Sequence, residues 1–257
     1  MKIFVCVKHV PDSAATIRIV APGEIDEKIT FLLNPYDENA IEAAVQLKAD
    51  RNDIDVIAVT VGKPAATDTL KSALAMGADR GIHVVTDDWP DSIVTARVLQ
   101  AAIVKDGNPD LILAGKAAID SDGYQTHFRL AAALDIPIAT HVGAIVMEDE
   151  TVTVTCGLEA GGEQVIRMRM PCAIGAAKTL NTPRYPTLPD IIKARKKEIR
   201  EVPVEQLQIE PADSRMEIVA LRTAIQERRR QMIAGSPDEA AARLVQRLKE
   251  EARIPLS

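Results

Sequence analysis

Four short runs of β-branched and apolar residues, Lys2–Lys8, Asp55–Val61, Gly81–Val85 and Leu111–Ala114, are separated by stretches whose apolar residues recur at helical spacing. The runs are continuous rather than alternating, as in strands buried on both faces. The helical stretches begin at Asn34 and cover Thr67–Ala78 and Ser92–Lys105; Leu70, Ala73, Leu74 and Gly77 mark the buried stripe of the second. Strand and helix in alternation at these lengths leave one economical solution, a doubly wound and mostly parallel sheet joined by right-handed crossovers. The fold class expected is therefore α/β and Rossmann-like.

After Pro137 the pattern changes. Gly143–Met147, Thr151–Cys156, Gln164–Met170 and Cys172–Ala176 read as consecutive strands. Thr151–Thr155 and Val165–Met170 alternate as half-exposed antiparallel strands do, so they extend the sheet or form a ribbon at its edge. A weaker strand, Ile17–Val20, is expected to pair in a hairpin with Ile29–Leu32.

In an open parallel sheet, ligands sit at the carboxyl ends of the strands. Three segments fall there. His9–Ser13 follows the first strand. Asn34-Pro35-Tyr36-Asp37 opens a helix, with Asn34 suited to the N-cap, Pro35 to the first helical position and Asp37 to the positive end of the dipole. Leu111–Thr126, LILAGKAAIDSDGYQT, reads as a strand, a glycine-containing loop and a helix that begins near Asp122. Free N–H groups at such a helix start favour an anion, and Lys116 adds a full charge. Neither GxxxxGK[ST] nor GxGxxG is present, so the same residues also fit an ordinary strand-to-helix turn. Asp120 and Asp122 suit a metal, a ribose or a helix cap equally.

The 257 residues carry a net charge of −6, which argues against a nucleic-acid partner, and aromatic residues make up 3%, too few for base-stacking platforms. No apolar run reaches membrane-spanning length, and Met1-Lys2 leads straight into a strand with no signal-peptide pattern. Cys6, Cys156 and Cys172 are scattered, so neither a disulfide framework nor a zinc site is expected, and a reducing cytoplasm is the simplest compartment. His9, His83, His127 and His141 stand apart from one another and from any metal-ligand spacing. There is no nucleophile elbow. No catalytic residue and no metal site is expected.

Three prolines, Pro183, Pro186 and Pro189, make Arg184–Leu188 a stiff exposed loop. A short helical pattern over Asp190–Lys197 follows and ends in Lys193, Arg195, Lys196 and Lys197. A rigid loop loses little entropy on binding, and a basic cluster on an acidic protein would steer an acidic partner; the alternative is a solvated basic face. The expected division is an α/β domain over residues 1–200 and a polar arm over 201–257. Within the arm, Arg228-Arg229-Arg230 is expected to be solvated. Ser236-Pro237-Asp238-Glu239 starts a helix running to about Arg253, with Leu244, Val245, Leu248 and Ala252 on one face. That helix either folds back on its own domain or packs on another subunit.

The segments VKHVPD (Val7–Asp12), NPYDENAIEAAVQLK (Asn34–Lys48), ALAMGADRGIHV (Ala73–Val84), GKAAIDSDGYQT (Gly115–Thr126), the turn from Gly161 through Pro171, and NTPRYPTLPDIIKARKKEI (Asn181–Ile199) occur in one order. In them the chain resembles the beta subunits of electron transfer flavoproteins over essentially its whole length. The resemblance implies a heterodimer with an alpha subunit that carries most of an FAD. Electrons would come from acyl-CoA dehydrogenases or related flavoenzymes, as in fatty acid β-oxidation, and pass to a membrane quinone oxidoreductase. It implies an AMP in this subunit, against Cys6, Asn34, Pro35, Tyr36, Asp37, Val61, Gly115, Lys116, Ala117, Ala118, Ile119, Asp120, Ser121, Asp122, Gly123, Tyr124, Gln125 and Thr126. It places Tyr36 near the FAD, and Tyr185, Leu188, Lys193, Arg195, Lys196 and Lys197 at the dehydrogenase-docking surface, with Leu188 as the anchor. The C-terminal helix would reach the alpha subunit. A bifurcating branch of the family instead holds a second FAD and oxidises NADH; the short Val84–Asp91 connection and the NPYDEN segment resemble the AMP-binding branch. An ATP-using enzyme on a similar sheet is the remaining alternative, and the His9–Ser13 loop lacks the Ser/Gly-rich phosphate loop that it needs.

Overall fold

A computed structural model describes residues 1–51, 53–87, 89–158, 161–207, 209, 216, 218–223 and 231–251. Two compact units are present, Met1–Val219 and Ala220–Ser257.

The first unit is built on a nine-stranded sheet. Inside it lies β1 (Lys2–Cys6), whose residues Ile3, Phe4 and Val5 are buried on both faces. Two short strands follow, β2 (His9–Pro11) and β3 (Ile19–Ala21), then β4 (Glu24–Ile25) and β5 (Phe31–Leu33). The expected hairpin between Ile17–Val20 and Ile29–Leu32 does not form. β3 pairs with β4, and β5 pairs antiparallel with β2. His9 stacks on Phe31 at 4.7 Å between ring centroids, which favours this closer pairing.

Helix α1 (Pro35–Ala49), β6 (Asp55–Gly62), α2 (Thr67–Met76), β7 (Arg80–Val85), α3 (Ser92–Asp106) and β8 (Leu111–Gly115) follow the expected alternation. β1 pairs in parallel with β6 on one side and β8 on the other, and β7 lies beyond β6. Side chains of these strands alternate between two cores. Ile3, Val5, Val56, Ala58, Leu111 and Leu113 pack with Ile41, Leu70 and Leu74 of α1 and α2. Phe4, Ile57, Val59 and Ile112 pack on the other face with Leu99 and Ile103 of α3. Each fully buried large aliphatic contributes about 1.5–3 kcal/mol, so both helix layers are fixed to the sheet.

The later chain departs from its sequence reading in three places. Helix α4 (Thr126–Leu134) begins at Thr126, not near Asp122. Of β9 (Ile138–Glu148), β10 (Thr151–Gly157), β11 (Glu163–Arg169) and β12 (Cys172–Ala176), the first three form an antiparallel extension at the sheet edge, as expected. β12 does not continue it. It inserts between β8 and β9, parallel to both, and all five of its residues are buried.

The third departure concerns residues 181–207. Helix α5 (Leu188–Ala194) starts at Leu188, so Pro189 belongs to a helical first turn and the irregular proline segment stops at Thr187. A capping box between Thr187 and Asp190 opens the helix. β13 (Ile199–Pro203) then pairs in parallel with β7 at the far edge of the sheet. The α/β unit therefore continues past residue 200, where the arm was expected to begin. Val202 is buried, and Val204 and Leu207 lie against the α3-side core.

In the second unit, α6 (Pro237–Glu250) opens with the expected capping box, Ser236 with Glu239. Leu244 and Val245 are about half exposed, and no residue of the helix is buried. Ala252, Arg253 and the Arg228-Arg229-Arg230 cluster lie outside the described residues.

Candidate functional site

The site forms where the amino end of α1 meets the carboxyl end of β8. Asn34 has the expected N-cap position, yet its side chain caps nothing in its own helix. Its amide Nδ2 donates to the Ala117 carbonyl at 2.9 Å, and its Oδ1 accepts from the Ile119 N–H at 3.2 Å. Asp37, buried one turn on, accepts from the Gly115 N–H at 2.9 Å and the Lys8 N–H at 2.8 Å. Two side chains of one helix turn thus clasp the loop that leaves β8 and the segment that leaves β1. The fit depends on Gly115. A Cβ there would lie 2.4 Å from Asp37 Oδ1 and 2.5 Å from Tyr36 Cβ. No real side chain tolerates that approach.

Burial raises the Asp37 carboxyl to about 7, against the two N–H donors and Lys8, which favour its charged form. Burial, reinforced by the Asp37 charge, likewise pushes the Cys6 thiol up, so Cys6 is no thiolate at neutral pH. Cys6 ends β1 and Val61 stands one residue before the end of β6, both against the α3-side core.

Beyond the clasp the loop changes character. Asp122 and Tyr124 have φ of 45° and 52°, a conformation uncommon outside glycine. Gln125 returns to the right-handed region. A left-handed residue followed by a right-handed one turns successive N–H groups toward one concavity, an arrangement that receives anions. The N–H groups of Gly123, Tyr124, Gln125 and Thr126 have no hydrogen-bond partner among the described residues. Ser121 and Asp122 N–H groups both point to the Ala118 carbonyl instead. The α4 dipole adds its positive end at Thr126.

Cations and aromatics surround this loop. Lys116 Nζ lies 5.6 Å from the Tyr36 ring and 5.9 Å from the Tyr124 ring. Lys178 Nζ also lies 5.2 Å from the Tyr36 ring. Neither lysine forms an ion pair among the described residues. His141 stacks on Tyr124 with rings 6.2 Å apart. Asp120 is engaged by Lys8 at 2.6 Å. Lys116 is therefore available on the loop while the loop carboxylate Asp120 is already paired with Lys8, a donor set that suits a phosphate-bearing ligand. Lys8, Lys178 and His141 are not among the residues that the family resemblance places at the nucleotide. Only the VKHVPD segment pointed to Lys8, and nothing local in the sequence marks the other two.

Two of the histidines are buried in the fold. His83 is fully buried between Thr67 Oγ1 at 2.9 Å and the Gly62 carbonyl at 3.1 Å, and burial lowers its pKa. His127 lies 3.1 Å from Thr140 Oγ1, and burial takes it down to about 4. No cluster of three or more His, Cys, Asp or Glu residues suited to a metal ion occurs among the described residues.

The candidate docking residues do not all share one surface. Tyr185 is 95% and Leu188 70% exposed, with Ile191 and Ile192 beside them. Lys193, Arg195 and Lys196 are exposed on or just after α5. Lys197 is turned inward. Its Nζ donates to the carbonyls of Leu74 at 2.9 Å and Ala78 at 2.6 Å, closing the carboxyl end of α2.

Residues 24–207 match the model of the electron transfer flavoprotein domain. That span contains α1, the β8–α4 loop and the 181–200 segment. The chain belongs to the electron transfer flavoprotein beta-subunit family. It is 38% identical over 260 residues to a protein of Oryza sativa subsp. japonica, "Electron transfer flavoprotein subunit beta, mitochondrial", covering 99% of this chain and 100% of that protein. It is 37% identical over 261 residues to the Homo sapiens beta subunit, covering 99% of each. It is 34% identical over 260 residues to the Bacillus subtilis beta subunit, covering 99% of this chain and all of that one. The rice relative is mitochondrial and another is bacterial, so family membership does not fix the compartment. No helix among the described residues is long and apolar enough to cross a membrane.

Proposed function

We propose that this chain is the beta subunit of a heterodimeric electron transfer flavoprotein and holds a structural AMP. The observation that carries the nucleotide assignment is the loop at Gly123–Thr126. Its N–H groups lie free beside Lys116, on a loop fixed from below by Asn34 and Asp37. In this reading the phosphate is held by those N–H groups and Lys116. Small residues, Ala117, Ala118 and Gly123, leave room for the ligand, while Cys6 and Val61 close the sheet side.

The alpha subunit supplies most of the contacts to an FAD, whose flavin accepts electrons from an acyl-CoA dehydrogenase or related flavoenzyme and yields them to a membrane quinone oxidoreductase. This chain's part is to bind and position. Tyr36, flanked by Lys116 and Lys178, is the aromatic residue offered to the FAD at the subunit boundary. Leu188 is the anchor offered to the dehydrogenase, with Tyr185 beside it and Lys193, Arg195 and Lys196 as the positive flank. Lys197 is left out of the flank because α2 engages it. The exposed stripe of α6 is the surface offered to the alpha subunit.

Burying an exposed leucine in a partner pocket contributes about 1.5–3 kcal/mol, so Leu188→Ala should raise the KM for the complex as electron acceptor roughly ten- to hundredfold. The assay is flavin reduction by a purified dehydrogenase as the concentration of the copurified alpha–beta complex is varied. Unchanged kinetics, or loss of flavin from the variant, would refute the docking assignment.

A further inference from the structure

The docking segment is held by the same helix that clasps the nucleotide loop. Asn39 and Glu42 lie on α1 at i and i+3, one shared face, and both are buried. Asn39 Nδ2 donates to the Asn181 carbonyl at 2.9 Å and to its Oδ1 at 3.0 Å, and Asn181 Nδ2 donates back to the Asn39 carbonyl at 2.9 Å. Glu42 accepts from three donors of Arg184: Nε at 2.7 Å, Nη2 at 3.0 Å and the backbone N–H at 3.2 Å. Gln46 supplies a fourth donor at 2.9 Å. Only 5% of the Glu42 side chain is exposed.

We propose that Glu42 is a positioning residue for partner docking, acting through Arg184 to fix the chain that presents Tyr185 and Leu188. The inference rests on the docking role proposed above for Leu188. The Arg184 pair is the last anchor before the exposed stretch. The next is the Thr187–Asp190 capping box, in which Asp190 accepts from the Thr187 N–H at 3.0 Å and from its hydroxyl at 2.6 Å. Between the two lie only Tyr185 and Pro186. With both ends fixed, Leu188 meets a partner at little entropic cost. A bidentate arginine–carboxylate pair also fixes direction, which a lone lysine contact does not. Arg184 itself is exposed, so its direct contact with a partner is the competing explanation.

The test uses the copurified alpha–beta complex as electron acceptor for a dehydrogenase. Glu42→Gln, Arg184→Gln, the double variant and Arg184→Lys are compared with Leu188→Ala. Glu42→Gln is expected to raise KM about tenfold with kcat and nucleotide content unchanged, and the double variant to be no worse than either single one, as coupled neighbours behave. Arg184→Lys, on an exposed loop and unable to disturb the core, should fall between wild type and Arg184→Gln. Limited trypsin digestion should cut after Arg184 faster in Glu42→Gln than in wild type. If Leu188→Ala raises KM while Glu42→Gln does not, or if the Glu42 and Arg184 effects simply add, the positioning role is overturned and Arg184 is a partner contact. If Leu188→Ala itself has no effect, the docking reading fails instead.

Discussion

Replacing Gly115 by alanine attacks the clasp at its tightest point. The new methyl would stand 2.4 Å from Asp37 Oδ1, 2.5 Å from Tyr36 Cβ and 2.8 Å from the Tyr36 carbonyl carbon. Two of these three atoms belong to the backbone or to a Cβ, so no rotamer change relieves them. Either the first turn of α1 or the end of β8 must move. Forcing an extra carbon into a packed position costs about 1–3 kcal/mol. Moving apart also breaks the Gly115 N–H bond to Asp37, now 2.9 Å, and leaves a buried carboxyl short of a donor, about 1–3 kcal/mol more. A total of roughly 2–6 kcal/mol corresponds to a fall in Tm of about 5–20 °C for a domain of this size. The assay is thermal unfolding of the alpha–beta complex by circular dichroism, with nucleotide content measured on the same sample. The reasoning predicts a large Tm loss together with depleted AMP and retained FAD. A Tm within about 2 °C of wild type and a full nucleotide complement would refute it.

Other outcomes follow from the same geometry. Asp37 has its folded-state pKa raised to about 7, so the folded chain binds the extra proton first; its contribution is fully present below the unfolded value, near 4, and is lost as pH rises to 7. Asp37→Asn should therefore flatten the fall in unfolding free energy between pH 4 and 7, and an unchanged slope in urea titrations would contradict the assignment. Lys197→Met should lower stability by about 1 kcal/mol through the Leu74 and Ala78 carbonyls left without their donor, while the dehydrogenase KM stays within about twofold. A large KM effect with no stability change would return Lys197 to the docking flank. Lys116→Met should weaken retention of AMP through gel filtration by about tenfold, the loss of one charge-assisted phosphate contact, without changing Tm in nucleotide-free samples.

The parallel core was legible because its strands are buried on both faces and so are written as unbroken apolar runs. The antiparallel extension was legible from the alternation at Thr151–Thr155. Strand order was not. Cys172–Ala176 reads like its neighbours, but its insertion between β8 and β9 is decided by packing that no local pattern records. β13 was missed because an edge strand half in water, Ile199–Pro203, carries Arg200 and Glu201 and resembles a polar linker. Within the site, NPYD was recognised as a helix start for the right residue types and the wrong bonds. Asn34 reaches residues 83 and 85 positions away in place of its own first turn. The left-handed Asp122 and Tyr124 delay α4 to Thr126, and only their surroundings hold them there. The Asn34–Asp37 clasp and the second clasp at Asn39 and Glu42 join residues far apart in the chain, and no local pattern records such pairings.

The most direct test of the central claim is the nucleotide content of the native complex. The chain is copurified with its alpha partner and denatured, and the released nucleotides are identified by mass and counted per heterodimer. One AMP and one FAD are predicted, with the AMP lost in Gly115→Ala. Two FAD and no AMP would contradict the account and assign the β8–α4 loop to a second flavin, with NADH the electron donor to examine next.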